Sequence, residues 1–392
     1  MNYKEFKGLK LPTLGFGGMR LPTTKPSGPI CQNTVEEMVE YAMKNGVNYF
    51  DTAFFYHAGE SEIELGKVLS KYPRDSWYIA DKFPGNFIKI VDGKLSMDLE
   101  SMGMANRTFN TPKEIFEHQL QTCGVEYFDF YMLHQVTEST YDLYTNEKVG
   151  ILNYLLEEKK AGRIKHFGFS SHGRYETIDK FITKYNDCFE YVMIQLNYLD
   201  WSLQEAGKKY DVITKHNIPV FVMEPVRGGL LAAPGKEAEA LLKAERPNDT
   251  PVTWAFRFLQ SLPNVTITIS GMSNMEQLKE NIGIYNKLDP TTDVERELLQ
   301  KIVDNMASFV PCTSCRYCCG ACPQKLDIPV LLALYNEASH ALSWYVEDVL
   351  GTLSDAEKPQ ACTTCGACNP LCPQDIDIPD TLTKFCDILN KK

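Results

Sequence analysis

Between Cys312 and Pro379 one pattern of cysteines is written twice, fifty residues apart. Cys312-Thr-Ser-Cys315-Arg-Tyr-Cys318-Cys319-Gly-Ala-Cys322-Pro323 stands against Cys362-Thr-Thr-Cys365-Gly-Ala-Cys368-Asn369-Pro-Leu-Cys372-Pro373, so the spacing C-x2-C-x2-C-x3-C-P recurs without a gap. The repeat runs on into Leu326-Asp-Ile-Pro329 and Ile376-Asp-Ile-Pro379, where proline can open a helix. Such a unit leaves the chain little freedom. Three thiols on one short loop must converge, and the fourth departs toward the helix that follows.

This spacing resembles the bacterial ferredoxin run, in which the fourth cysteine of each motif serves the other cluster. The resemblance implies one [4Fe-4S] cluster on Cys312, Cys315, Cys318 and Cys372, and a second on Cys362, Cys365, Cys368 and Cys322. Structural zinc usually separates its C-x2-C pairs by a longer gap, and disulfides call for an oxidising compartment. Cys319 has Asn369 as its counterpart in the repeat and is read as a bystander. Cys386 falls at apolar spacing in a final helix and is read as core.

Ten of the thirteen cysteines follow residue 310, and a chain of 392 residues exceeds what one core usually organises. The expected division is a barrel over 1–290, an acidic helical connector over 291–308, and a mostly α-helical ferredoxin-like domain over 309–392. A formal charge of −11 leaves no basic patch for phosphates, which argues against nucleic acid. No apolar run approaches the roughly 18 residues of a membrane span, and the N-terminus lacks a signal-peptide core. The expectation is a reduced, cytoplasmic protein.

Before the cysteines, short apolar runs alternate with amphipathic helical stretches. Strands are expected near residues 13–17, 48–53, 77–83, 128–134, 164–171, 191–198, 219–226 and 265–271, with helical sequence between them. Thr34 with Glu37, and Thr111-Pro112 with Glu114, look like capping boxes. Eight βα units mean a (β/α)8 TIM barrel; a doubly wound sheet would want a G-x-G-x-x-G turn that Gly15-Phe-Gly17-Gly18 does not supply. One connection, Pro84 to Asn110, is long for a βα loop and is read as a lid or docking surface.

Asp51, Lys82 and His134 fall at the carboxyl ends of three of these strands, and Tyr56 lies five residues beyond Asp51. Alone, each has an ordinary explanation as a cap, ion pair, packed imidazole or rim aromatic. Together they resemble the catalytic tetrad of the aldo-keto reductase family, over residues 1 to about 290. The resemblance implies that Tyr56 exchanges the proton of a small carbonyl or alcohol, Lys82 acts on that phenol, Asp51 holds Lys82, and His134 orients the substrate oxygen. A cation about 4 Å from the phenol at an effective dielectric of about 20 contributes roughly 4 kcal/mol, enough to lower the tyrosine by about two to three pH units.

The resemblance also assigns cofactor contacts. Ser170, Ser171 and Gln195 match positions that hold nicotinamide, and Glu280 with Asn281 matches the adenine side. Backbone amides around Ser273 and Asn274 could take phosphates. Met223 stands where the family often stacks an aromatic ring, and Gly271 and Gln277 replace cationic residues near the 2′-phosphate. NADP(H) and NAD(H) therefore both stay open, with a flavin as the alternative that barrels also accommodate. His57, His172 and Trp201 are candidates by position for the pocket.

Barrel and tail together resemble an iron-sulfur branch of the family. Hydride moves two electrons together, whereas a cluster passes one. A flavin, a substrate radical or the two clusters filling in turn would split the pair. A different class of reading makes the tail a docking module for a partner redox protein, with the barrel as sensor or scaffold.

Overall fold

The computed structural model describes all residues except 26–27, 92, 98, 100–107, 186, 307–309, 311, 313–316, 341–343, 373, 375 and 391–392. Cys315, one expected cluster ligand, lies outside the described residues, as does part of the long loop.

Eight strands, β1 (Leu14–Gly17), β2 (Tyr49–Asp51), β3 (Tyr78–Phe83), β4 (Phe128–Leu133), β5 (Ile164–Ser171), β6 (Tyr191–Gln195), β7 (Val220–Met223) and β8 (Val265–Gly271), close into a barrel. Every neighbouring pair is parallel, including β8 with β1. Helices α1 (Gln32–Lys44), α2 (Glu60–Leu69), α3 (Pro112–Cys123), α4 (Ile151–Lys160), α5 (Tyr175–Lys184), α6 (Ala206–Lys215), α7 (Pro251–Gln260) and α8 (Met275–Tyr285) follow the strands in turn. The strands are apolar because both faces are covered, one by the barrel interior and one by the helices.

Alternation along each strand decides which residues enter the barrel. Tyr49, Ala80, Phe130, Met132, Tyr191, Met193, Phe221, Ile267 and Ile269 form the inner core. Continuing these series by two places Asp51, Lys82 and His134 inward at one end. The other end is closed by an antiparallel hairpin, Tyr3–Phe6 with Leu9–Pro12. Its Phe6 ring packs 5.6 Å from Phe130 and 5.5 Å from Phe221.

Two expectations about helix starts come out differently. α1 begins at Gln32, with Cys31 as its N-cap and no side-chain cap bond, so Thr34 and Glu37 lie inside the helix and make no box. The Cys31 carbonyl already accepts Val35 N–H at 3.0 Å, which starts the helix earlier. At α3, Thr111 does accept the Glu114 N–H, at 3.3 Å, while Glu114 accepts from Asn110 at 2.7 Å.

The chain forms two compact units, residues 1–198 with 206–296, and residues 199–205 with 297–392. In the second, the tail of α9 (Asp293–Met306) is followed by α10 (Ile328–His340), α11 (Trp344–Thr352) and α12 (Ile378–Asn390). Its core unites Leu326, Ile328, Leu332, Ile376, Ile378, Leu382 and Phe385 with Cys318 and Cys368. Positions fifty apart thus share one core, as in the pairs Ile328 with Ile378 and Leu332 with Leu382. No described helix is long and apolar enough to cross a membrane.

Candidate active site and cysteine centre

The end of the barrel opposite the hairpin gathers the four expected residues. Asp51 is the last residue of β2, Lys82 the penultimate residue of β3, and His134 the first residue past β4. Tyr56 opens a short turn in which His57 and Ala58 take left-handed backbone. The Lys82 ammonium donates to Asp51 Oδ1 at 2.5 Å and to the Thr52 carbonyl at 2.6 Å. It also lies 4.8 Å from the centre of the Tyr56 ring.

Burial works against the Lys82 charge, but Asp51 and Tyr56 outweigh it and hold the ammonium above its ordinary range. Tyr56 departs from expectation. Its phenol is raised, not lowered, because loss of water around a phenolate is the largest influence and exceeds the pull of Lys82. Asp51 and Glu224 push it further up. His134 is driven well below its usual value by burial, then by Lys82 and His172. At neutral pH the imidazole is therefore uncharged.

Two polar atoms in this end of the barrel, Asp51 Oδ2 and His134 Nδ1, are buried without a hydrogen-bond partner among the described residues. Phe55 stacks on His134 at 5.2 Å and 9°, and Phe87 meets Phe55 at 4.5 Å. Phe87 comes from the long loop, whose described part holds a turn and a hairpin, Ile88–Val91 with Lys94–Met97. The Tyr144 hydroxyl pins the loop's root, accepting Gly85 N–H at 3.1 Å and donating to the His134 carbonyl at 2.7 Å.

The side chains expected to meet nicotinamide are engaged in hydrogen bonds within the protein. Ser170 Oγ accepts Gln135 N–H at 3.0 Å, and Ser171 Oγ donates to the Val136 carbonyl at 2.6 Å. Gln195 is hydrogen-bonded to His172, whose pKa burial lowers to about 3. At the start of α8, Asn274 caps Gln277 N–H at 2.9 Å and the Gln277 side chain takes the Ser273 amide at 2.8 Å. Glu280 accepts from Thr250 at 2.7 Å, and Asn281 donates to Ser270 at 3.2 Å. His57 Nε2 accepts Leu21 N–H at 3.1 Å, a bond that serves the loop. Trp201 sits in the short helix Asp200–Leu203, which groups with the second unit.

Sequence reasoning missed Arg20. Its side chain passes over Gly271, where an added Cβ would lie 3.3 Å from it, and over Gly228 at the same distance. The aliphatic stem of Arg20 thus crosses the position whose own cation is missing, and its guanidinium reaches Gly228. Glu224, left-handed at φ 55, was missed too; the only sequence signal was an acid directly after β7.

In the tail, Cys362, Cys365 and Cys368 line one small cavity together with Cys322 of the other motif. Its remaining walls are largely apolar, with Leu326, Ile328, Ile378 and Leu382. Donor chemistry and apolar walls both fit an iron-sulfur cluster. In the companion set, Cys318 lies within electrostatic reach of Cys312 and also of Cys319, and Cys372 packs on the same core. Cys386 is half-buried on α12, near Cys362.

Comparison with known proteins now adds two matches. A model described as the aldo/keto reductase family covers residues 13–303, and one described as a 4Fe-4S dicluster domain covers residues 311–376. The NADH-specific methylglyoxal reductase of Escherichia coli (strain K12) is 26% identical over 294 residues, 66% of this chain and 83% of its own. A putative voltage-gated potassium channel subunit beta from Schizosaccharomyces pombe is 26% identical over 343 residues, 78% of this chain and 92% of its own. The holo form of an aldo-keto reductase from Bacillus halodurans superposes with a TM-score of 0.58 at 25% identity, covering 77% of this chain and 96% of that one.

Proposed function

This chain belongs to the aldo/keto reductase family, with a 4Fe-4S dicluster domain behind its barrel, and from that premise we propose that it reduces or oxidises a small carbonyl or alcohol at Asp51, Tyr56, Lys82 and His134. The observation that carries the reading is the Lys82 ammonium held between Asp51 and the Tyr56 ring. In the reducing direction, the Tyr56 phenol gives its proton to the carbonyl oxygen. Its raised pKa keeps that proton in place until charge develops on the substrate. Lys82 then stabilises the phenolate left behind, and Asp51 fixes Lys82. Neutral His134 donates to the same oxygen without competing for the proton, and the Phe55 and Phe87 rings keep water away.

A nicotinamide dinucleotide would supply or accept the hydride. Ser170, Ser171 and Gln195 would meet its ring amide, Glu280 and Asn281 its adenine side, and Arg20 with the amides near Ser273 and Asn274 its phosphates. Arg20 is the observation that favours a phosphate-bearing cofactor here. Electrons would enter or leave singly through two clusters, one on Cys312, Cys315, Cys318 and Cys372, the other on Cys362, Cys365, Cys368 and Cys322. The shared cavity of Cys322 with the second motif supports the crossed assignment.

Turnover of methylglyoxal by anaerobic, cluster-loaded protein, with NADPH or NADH, tests the site. Tyr56→Phe should lower kcat by about 100-fold or more and leave the cluster absorbance unchanged; a variant that keeps full activity would sink the assignment. Titration with either nucleotide while following cluster bleaching tests the electron route. A second reading, with the barrel as sensor or scaffold for a redox partner, draws on the channel-subunit relative. It expects no turnover and reduction by dithionite alone.

A further inference from the structure

The alternation that turns Lys82 into the barrel turns Asp81 outward, beneath α2 and α3. There the structure holds a buried polar cluster that the proposed chemistry does not use. Asp81 and Gln119 are 0% exposed and Glu62 is 1% exposed. The Asp81 and Glu62 carboxyls are hydrogen-bonded to each other, which two ionised carboxylates cannot be, so the pair holds a proton.

Two of the cluster's contacts lead to the Lys82 main chain. β2 ends at Asp51, and the carbonyl of Thr52 accepts the Lys82 ammonium. The Lys82 N–H turns to Asp81 Oδ1 at 2.8 Å. On the other side of the residue, Gln119 donates to the Lys82 carbonyl at 3.0 Å and to Glu62 at 3.1 Å. Gln119 is fixed in turn by the Tyr131 hydroxyl at 2.5 Å. Gly66 permits this arrangement: a Cβ there would sit 2.4 Å from the Cys123 carbonyl, so α2 and α3 approach closely enough for Glu62 to meet Gln119.

We propose that Asp81 and Glu62 are a proton-sharing pair of positioning residues, which clamp the Lys82 peptide so that its side chain meets Asp51 and Tyr56. The proposal rests on the tetrad reading above. The titratable groups around the pair are Lys82 on the same strand, Asp51 from β2, Cys123 from α3, whose thiol points to Asp81 Oδ2 at 3.7 Å, and Tyr131 from β4. Burial lifts Asp81 to about 7, against the Lys82 N–H, the Lys82 charge and the Glu62 hydrogen bond, which lower it, while Asp51 adds to the rise. Loss of the shared proton sets two anions against one another and releases the clamp. Activity therefore falls on the alkaline side.

Infrared spectra of the full-length, cluster-loaded protein test the pair without any substrate. The carbonyl stretch of a protonated carboxyl should be present at pH 6, vanish by pH 9, and be absent from Asp81→Asn and Glu62→Gln. A wild-type protein without that band, or a band that survives both variants, overturns the proposal. Methylglyoxal turnover tests the clamp. Asp81→Ala should lower kcat by about tenfold or more. Asp81→Asn and Glu62→Gln keep both hydrogen bonds, so they should stay within roughly threefold and lose the alkaline limb. Wild-type kinetics in Asp81→Ala, or an Asp81→Asn as impaired as Asp81→Ala, overturns it. Turnover that survives Tyr56→Phe would instead overturn the tetrad reading, and the infrared result would still decide the proton.

Discussion

Desolvation decides the proton at Tyr56 and His134, whereas neighbouring charge decides it at Lys82. Burial raises the Tyr56 phenol and lowers the His134 imidazole, leaving two neutral donors around one buried cation. Lys82→Met removes a nearby charge that favours the phenolate, so kcat should fall by about 100-fold or more in the methylglyoxal assay. Asp81 makes a stability prediction of definite sign. Its folded pKa, about 7, lies above the unfolded value of about 3.9. Native protein thus binds more protons, and this residue costs stability progressively as pH rises from about 4 to about 7. Asp81→Asn should gain in barrel Tm relative to wild type at pH 8 and show little of that gain at pH 4. In the tail, Cys322→Ser should cost the cluster of the second motif, halving iron per chain, whereas Cys386→Ser should leave iron content unchanged. The convergence of Asp51, Lys82 and His134 was legible because they sit at strand ends that apolar runs announce, with Tyr56 in the turn that follows Asp51. Arg20, Glu224 and Asp81 were not, since their importance comes from a left-handed backbone, a bare glycine and a helix–helix approach that no local pattern encodes.

Among the elements, the first turn of α9, residues 293–296 of the barrel unit, is held by charge. Arg257 of α7, 2% exposed, donates to Glu295 at 2.8 and 2.9 Å and to the Asp289 carbonyl at 2.9 Å. Removing one member of a buried pair leaves the other uncompensated, so Arg257→Ala should cost about 3–5 kcal/mol in urea unfolding of the barrel. Glu295 is held down to about 2, with burial opposing and Arg257 prevailing. Its contribution is present above the unfolded value of about 4.3 and disappears as pH falls from there toward 2. The destabilisation of Glu295→Gln, measured at pH 6, should shrink by pH 3. Parallel strands read well in sequence because burial on both faces makes them continuous apolar runs. The hairpins read poorly. Tyr3–Phe6 and Leu9–Pro12 turn through Lys7 and Gly8, both at positive φ, and Lys-Gly is a weaker turn signal than Asn-Gly. The Asp92-Gly93 pair inside the long loop was the stronger cue for Ile88–Val91 with Lys94–Met97. The helix Lys236–Glu245 was passed over within a connection rich in glycine and alanine.

At the scale of the molecule, each unit has its own apolar centre, but the smaller one buries Cys318 and Cys368 inside it. Iron therefore reports on folding as well as on electron transfer. Anaerobic chelation should expose the cysteine loops to protease while residues 1–198 and 206–296 stay resistant, and a tail equally resistant without iron would count against cluster-dependent folding. The hairpin that fills the far end of the barrel has a consequence for kinetics. With Phe6 and Leu11 wedged among the inner side chains, the tube has a floor, and whatever reaches Lys82 arrives and leaves by a single mouth. Two ligands sharing one doorway must queue. If the proposed dinucleotide lies deeper than the carbonyl, it would have to enter first and depart last, which would impose a compulsory order, with each nucleotide form competing directly against the other and never against the carbonyl.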